Sequence, residues 1–433
     1  MFLKHKSITN FSWYFATSLI NKALPFFLLP ILTRYLSPEE YGVLAIYQIL
    51  ITFATPFVGM NMPANITRNF FRQSRDELAK LTSNLLFVLS GSFTLVILVL
   101  MIIVLSGNNF WDIPSSWLFS IPVVAGMNVI NQMNLTILRN SKQALKYGLF
   151  EISQTSLNLV ITLLLVVVYH FGWQGRTTGI AVASITFGII SLIHVYKTGF
   201  LQFDISKLKI REILYISLPL IPHMLSTGII DMSDRFFIDH MFGKEAVGIY
   251  NVGYQFGLGM ILFTDAFSQV WSPWMYEQLA HMTAVKKLKI VQLTYIFDVG
   301  VIILALLITM LSGFLIKIMT PVAYHGATKF VLWVALGYAL RGMYTMVFHY
   351  LVHEGKTKFL GIITLVSAIV NLVANFILLR LNGVVGAAQA TLLAYTIQFL
   401  LVWWYANRIH PMPWGIIRNI LHKSVTVQKE LRN

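Results

Sequence analysis

Twelve runs of about twenty mainly apolar residues recur along the chain, each the length one helix needs to cross a bilayer core. They lie near residues 9–32, 41–63, 81–105, 117–138, 147–169, 177–195, 213–236, 247–270, 290–311, 330–349, 360–379 and 384–405. Backbone inside hydrocarbon must satisfy its own hydrogen bonds, and runs of this length do so as helices. The expectation is an all-α polytopic membrane protein of twelve spans. The seventh is the least regular, because it runs into Asp234-Arg235. Composition agrees: only 11% of the 433 residues are charged, against about 25% in a soluble domain. So little charge excludes a cytosolic enzyme, a nucleic-acid-binding module and a disordered chain. There is no cysteine, hence no disulfide framework, thiolate nucleophile or Cys-ligated metal. The eleven histidines show no ligand spacing, so no metal is expected. Lys4 and Lys6 precede the first run and no small-residue cleavage site follows. An uncleaved first membrane helix is expected.

The basic residues orient the spans. The 32 Lys and Arg exceed the 17 Asp and Glu by 15, yet they form no single patch. One alternating set of connections, with both termini, holds 23 of them, the other set holds 7, and Lys22 and Arg341 fall inside spans. Cytoplasmic loops concentrate Lys and Arg, so both termini are expected in the cytoplasm. No connection is long. The largest external one, 312–329, and the internal one, 196–212, each have about eighteen residues, which leaves no room for a catalytic domain outside the membrane.

The two halves resemble each other. Glu39 and Gly42 match Glu245 and Gly248 at an offset of 206. The segment 179–184 matches 386–391 at 207, and Gly148 with Asn158 matches Gly361 with Asn371 at 213. Shared helix-packing composition is the competing explanation. Six spans per half give both halves one orientation, the parallel-repeat plan of transporters. The expected organisation is a six-helix lobe at 1–196, a cytoplasmic connector at 197–212 and a second lobe at 213–406. A basic tail at 407–433 carries an interfacial helix. The first span of each half holds two prolines, Pro25 and Pro30, then Pro219 and Pro222, which predict kinks.

Polar residues recur at helical spacing inside the spans. Glu151, Gln154, Asn158 and Thr162 share one face, as do His223, Thr227, Asp231 and Asp234. Tyr338, Arg341, Thr345 and His349 share another, and Asn371 and Asn375 follow in span eleven. One such stripe is a hydrogen-bonded seam; six or more predict a shared hydrated cavity. Spans three and nine are mostly apolar and are expected to face lipid. Ionisable groups at membrane depth are costly and mark function or a structural ion pair. The candidates to line the cavity are Lys22, Arg341, Asp231, Asp265, Glu151 and His223.

Several segments resemble the Wzx-type polysaccharide flippases of the multidrug/oligosaccharidyl-lipid/polysaccharide exporter superfamily. They are Asn10-Phe-Ser-Trp13, Arg34-Tyr-Leu-Ser-Pro-Glu-Glu-Tyr-Gly42, Ser217-Leu-Pro-Leu-Ile-Pro-His223, Asp234-Arg235, Gly243-Lys-Glu-Ala-Val-Gly-Ile-Tyr250, Trp271-Ser-Pro-Trp274 and Lys356-Thr-Lys-Phe-Leu-Gly361. The resemblance implies two six-helix lobes in a V and a non-enzymatic transporter of the bacterial inner membrane. Its cargo would be an undecaprenyl-pyrophosphate-linked glycan, moved to the periplasmic leaflet for O-antigen or related polymer assembly. Its partners would be the lipid bilayer and, in the same pathway, a polymerase and a chain-length regulator; no nucleic acid is expected. Lys22 and Arg341 suit the pyrophosphate, since guanidinium binds phosphate bidentately. No cofactor is expected; a coupling ion, H+ or Na+, is left open, with Asp231, Asp265 and His223 as carriers. The rivals are a drug/cation antiporter of the same superfamily, which would favour an acidic, aromatic cavity, and a membrane-embedded polymerase.

Overall fold

The structure, a computed structural model, describes residues 17, 21, 26–106, 113–280 and 282–415. Among them every regular element is helical. The order is α1 (Phe26–Tyr35), α2 (Pro38–Gly59), α3 (Met62–Phe70), α4 (Arg75–Leu105), α5 (Ser115–Asn140), α6 (Ala144–Leu163), α7 (Gly172–Lys197), α8 (Lys207–Ser217), α9 (Ile221–Met232), α10 (Asp234–Ala280), α11 (Ala284–Met319), α12 (Thr328–His353), α13 (Thr357–Asn382) and α14 (Val385–Ile409). Among the described residues, ten stretches are long and apolar enough to cross a membrane. One of them, Lys207–Leu279, carries both the seventh and eighth predicted spans, and α1 is the described part of the first. The described parts of the twelve predicted spans therefore fall on helix.

Local chemistry sets the boundaries. Ser37 and Ser74 form capping boxes with Glu40 and Glu77, and Pro38 occupies the first turn of α2, where its missing N–H costs nothing. Two helices, α3 and α8, occupy connections read from sequence as loops. The expected external loop at 312–329 is also largely helical. Apolar residues carry α11 to Met319, and a 3-10 turn, Val322–Ala327, follows. The seventh span is broken as its prolines predict. A 3-10 turn at Leu218–Leu220 precedes α9, and Ser233 separates α9 from α10. Within α10 the chain reverses at Gly243, whose φ of 82° suits a residue without Cβ. The tail's expected interfacial helix lies outside the described residues.

The chain packs as two compact units, Met1–Gly253 with Leu315–Ala327, and Tyr254–Phe314 with Thr328–Asn433. In the first, α5 is the most buried membrane helix, enclosed by α2, α3, α4 and α7. Met62 and Ile66 of α3, Leu85 of α4, Met133 of α5 and Ile213 of α8 share one apolar core, which holds the two short helices against the bundle. In the second unit α14 packs on both α12 and α13. Hydrocarbon supplies no hydrophobic drive between helices, so close approach must come from small residues; Ala387, Ala388, Ala390 and Ala394 of α14 are fully buried. The two most apolar helices, α4 and α11, bury only 17% and 22% of their central stretches, as expected of lipid-facing spans.

Candidate functional site

A cavity of about 450 Å3 opens between α2, α5 and α9 of the first unit. Asp231 and Thr227 of α9, Asn128 of α5, and Thr52 and Thr55 of α2 supply its polar wall. Phe53 and Met224 are among its apolar lining. Pro56, inside α2, has no N–H, so the helix leaves the carbonyl of Thr52 without its usual donor. Thr52 and Pro56 both line the cavity, and the Thr52 hydroxyl is spent on the Gln48 carbonyl, 3.0 Å away. The Thr55 hydroxyl is spent on the Ile51 carbonyl, 2.7 Å away. Among the described residues, Asp231 is the one ionisable group of the lining.

A dry charge cluster fixes the helix that carries Asp231. Just past α9, Asp234 and Arg235 are 0% and 4% exposed, and Nη1 of Arg235 donates to Oδ1 of Asp234 at 2.7 Å. The same nitrogen donates to the Asp231 carbonyl at 2.7 Å, capping the negative end of α9. Tyr250, on the return arm of α10, donates its hydroxyl to Oδ2 of Asp234. Ions this deep are tolerated only when every neighbour is in place. The cluster therefore ties α9, the break at Ser233 and the return arm into one geometry. The sequence showed these charges as an irregularity in the seventh span, with Asp234 on its polar face, but not that they pair with each other and with Tyr250.

Where α2 and the return arm of α10 begin, their backbones touch. A Cβ built on Gly42 would lie 2.0 Å from the Lys244 carbonyl oxygen, and one on Gly248 would lie 1.8 Å from the Pro38 carbonyl oxygen. The contact is reciprocal: Pro38 and Lys244 are related by the same offset of 206 as Gly42 and Gly248. Two matching segments thus meet about a local two-fold relation. Tyr324 of the 3-10 turn braces the corner, stacking edge-on to Tyr41 and donating to the Leu36 carbonyl at 2.8 Å.

The other predicted residues fall as follows. Glu151 of α6 lies elsewhere in the first unit, accepting from Asn21 at 3.0 Å and from Tyr147 at 3.0 Å. Asp265 and Arg341 belong to the second unit; the guanidinium of Arg341 lies 5.7 Å from the ring centre of Tyr338. Tyr338 in turn shares a 2.5 Å hydrogen bond with Tyr254. Lys22 lies outside the described residues, as does the side chain of His223, although its backbone is part of α9. Among the described residues, no Lys or Arg lines the α2–α5–α9 cavity.

Much of the polar striping is helix glue. Asn131 donates to Gln154 at 2.6 Å, Ser191 to Asn131 at 2.7 Å, and Asn134 meets His194 at 2.8 Å. This seam joins α5, α6 and α7, and of that face only Asn128 reaches the cavity. Arg176, assigned by its sequence position to an external connection, is only 8% exposed inside α7. It donates to Asn158 at 2.6 Å and Thr162 at 2.9 Å, so the upper half of the α6 stripe serves a buried guanidinium.

The chain matches the family described as polysaccharide biosynthesis protein over residues 7–278. Two proteins of Haemophilus influenzae are similar along most of their length. One, described as an uncharacterized membrane protein, is 26% identical over 379 residues, covering 84% of this chain and 88% of its own. The other, Lsg locus putative protein 1, is 25% identical over 364 residues, covering 82% and 87%. Among solved structures, the fold is similar to an inward-facing multidrug resistance MATE family transporter of the MOP superfamily. The TM-score is 0.71 at 14% identity, covering 91% of this chain and 94% of that one. It is equally similar to the lipid II flippase MurJ in an inward closed conformation, with a TM-score of 0.70 at 15% identity, covering 93% and 87%. With more than half its length matched, this multi-pass membrane chain belongs to the polysaccharide biosynthesis protein family.

Proposed function

We propose that the protein is a flippase that moves undecaprenyl-pyrophosphate-linked oligosaccharide units from the cytoplasmic to the periplasmic leaflet of a bacterial inner membrane. The observation that carries this reading is that every described residue lining the α2–α5–α9 cavity lies within the stretch matched by the polysaccharide biosynthesis family. Sugar hydroxyls are donors, and the cavity offers them the Asp231 carboxylate and the Asn128 amide. A glycan cannot shed its water into hydrocarbon without such partners. Lys22 and Arg341 are the cations proposed to attract the pyrophosphate. A potential negative inside favours outward movement of an anion by about 2.3 kcal/mol per charge per 100 mV. Both termini in the cytoplasm and lobes at 1–196 and 213–406 complete the proposal.

A second reading, a drug/cation antiporter, draws on one observation: the acidic residue Asp231 shares the cavity lining with Phe53 and Met224. Deletion of the gene in a polysaccharide-producing bacterium separates the two. The flippase reading expects lipid-linked repeat units to accumulate on the inner leaflet and Asp231→Asn to restore little, with normal protein in the membrane. Unchanged polymer together with slowed efflux of an organic cation overturns it in favour of the antiporter.

A further inference from the structure

A second feature of the first unit shares no lining residue with the α2–α5–α9 cavity. The last turn of α1 and the last two turns of α6 frame a crevice of about 620 Å3. Its walls include Ile31, Val160, Leu164 and Val168, with Arg34 and Tyr35 where α1 ends. A widened π turn, Leu164–Val168, shapes it. The Tyr169 N–H reaches back five residues to the Leu164 carbonyl at 3.1 Å. Val166 is turned inward, 1% exposed, against Gly175, where an added Cβ would lie 3.2 Å from it. Leu164 and Val168 are left 46% and 62% exposed. Such turns inside helices are uncommon and concentrate at functional positions.

The chemistry at the two ends of the crevice differs. Along α6 the lining is aliphatic. At the end of α1 the exposed guanidinium of Arg34 is paired with no described carboxylate, and Tyr35 stacks on His170 with ring centres 5.9 Å apart. Among the described residues, none of the lining is acidic. An apolar slot ending in a cation and a tyrosine at the membrane surface matches a lipid with a hydrocarbon chain and a phosphate. At about 30 Å3 per water-sized group, 620 Å3 holds about twenty such groups. That is the bulk of one acyl chain and much less than a long polyprenyl tail.

We propose that this crevice binds one acyl chain of an anionic phospholipid, with Arg34 on its phosphate; on the orientation proposed above this is a lipid of the outer leaflet. The site does not depend on the identity of the transported molecule. The test uses the full chain in vesicles containing phosphatidylglycerol or phosphatidylethanolamine that carries a photoreactive group in one acyl chain, with adducts mapped by peptide. Adducts on 160–168 should favour phosphatidylglycerol about fivefold, the scale of one interfacial cation. Arg34→Gln should remove that preference, and Arg34→Lys should keep it. Leu164→Trp, which fills the slot, should suppress adducts from both lipids there while leaving adducts elsewhere intact. Equal labelling by the two lipids, or a preference that survives Arg34→Gln, overturns the proposal. So does displacement of phosphatidylglycerol by an equal mole fraction of a polyprenyl phosphate, which would assign the slot to a prenyl tail.

Discussion

One added methyl group at Gly42 tests the helix crossing directly. Ordinary contact begins near 3.4 Å, so a Cβ placed 2.0 Å from the Lys244 carbonyl oxygen requires that backbone to retreat by about 1.4 Å. The obstacle is backbone on both sides, so no side chain can swing clear. Overpacking of this kind costs ~1–3 kcal/mol. If the cost falls on the state in which α2 and the return arm of α10 touch, the separated state gains ~5–150-fold in population. The chain has no cysteine, so Thr227→Cys provides a single reporter in the cavity. Gly42→Ala should raise its labelling rate by an impermeant maleimide added from outside, and Gly248→Ala should do the same. The double variant should fall short of the two effects added, because both methyl groups load one contact. Unchanged labelling and unchanged thermal stability in both single variants would refute the reasoning.

Three further perturbations follow from the geometry. Asp234→Ala strips Arg235 of its carboxylate in a dry site, and about 3–5 kcal/mol should be lost, seen as collapse of the monodisperse peak in detergent. Ser74→Ala removes the cap of α4 and should cost about 1 kcal/mol, read as a lower melting temperature with transport retained. His410, 3.6 Å from Glu354, is held below its ordinary value of 6.5 by burial and by Lys287 in spite of that carboxylate. As pH falls below 6.5 the unfolded chain takes up the proton first, so stability declines until the folded-state pKa is passed. His410→Gln should flatten the melting temperature against pH over about pH 7 to 5.

The membrane helices were legible because the bilayer imposes one length and one hydrogen-bonding rule on every span. The two short helices were not. α3 and α8 sit on one apolar face inside stretches rich in charge, and what holds them is Met133 and Leu85 from other helices. Asp231 was legible as a costly charge at helical spacing from Thr227, and both line one cavity. The polar face of α6 was read as cavity wall, yet periodicity alone cannot tell a wetted face from one zipped to a neighbour. Asn131 and Gln154 are of the second kind. Arg176 was misplaced because a positive charge near the end of a run looks like a loop residue. Only its partners Asn158 and Thr162 show it to be interior. The Gly42 and Gly248 match gave the repeat, but that the two copies touch each other is a fact of three dimensions.

Passage of a lipid-linked glycan across a bilayer, the activity proposed for this chain, is measured directly by reconstitution. Purified protein is placed in sealed vesicles holding a fluorescent polyprenyl-pyrophosphate-linked oligosaccharide in the inner leaflet, with an impermeant quencher outside. The account predicts that fluorescence is lost as the headgroup emerges, that protein-free vesicles stay bright, and that Asp231→Asn slows the loss at equal protein content. Headgroups that remain protected in vesicles containing folded wild-type protein, with an inside-negative potential applied, would contradict it.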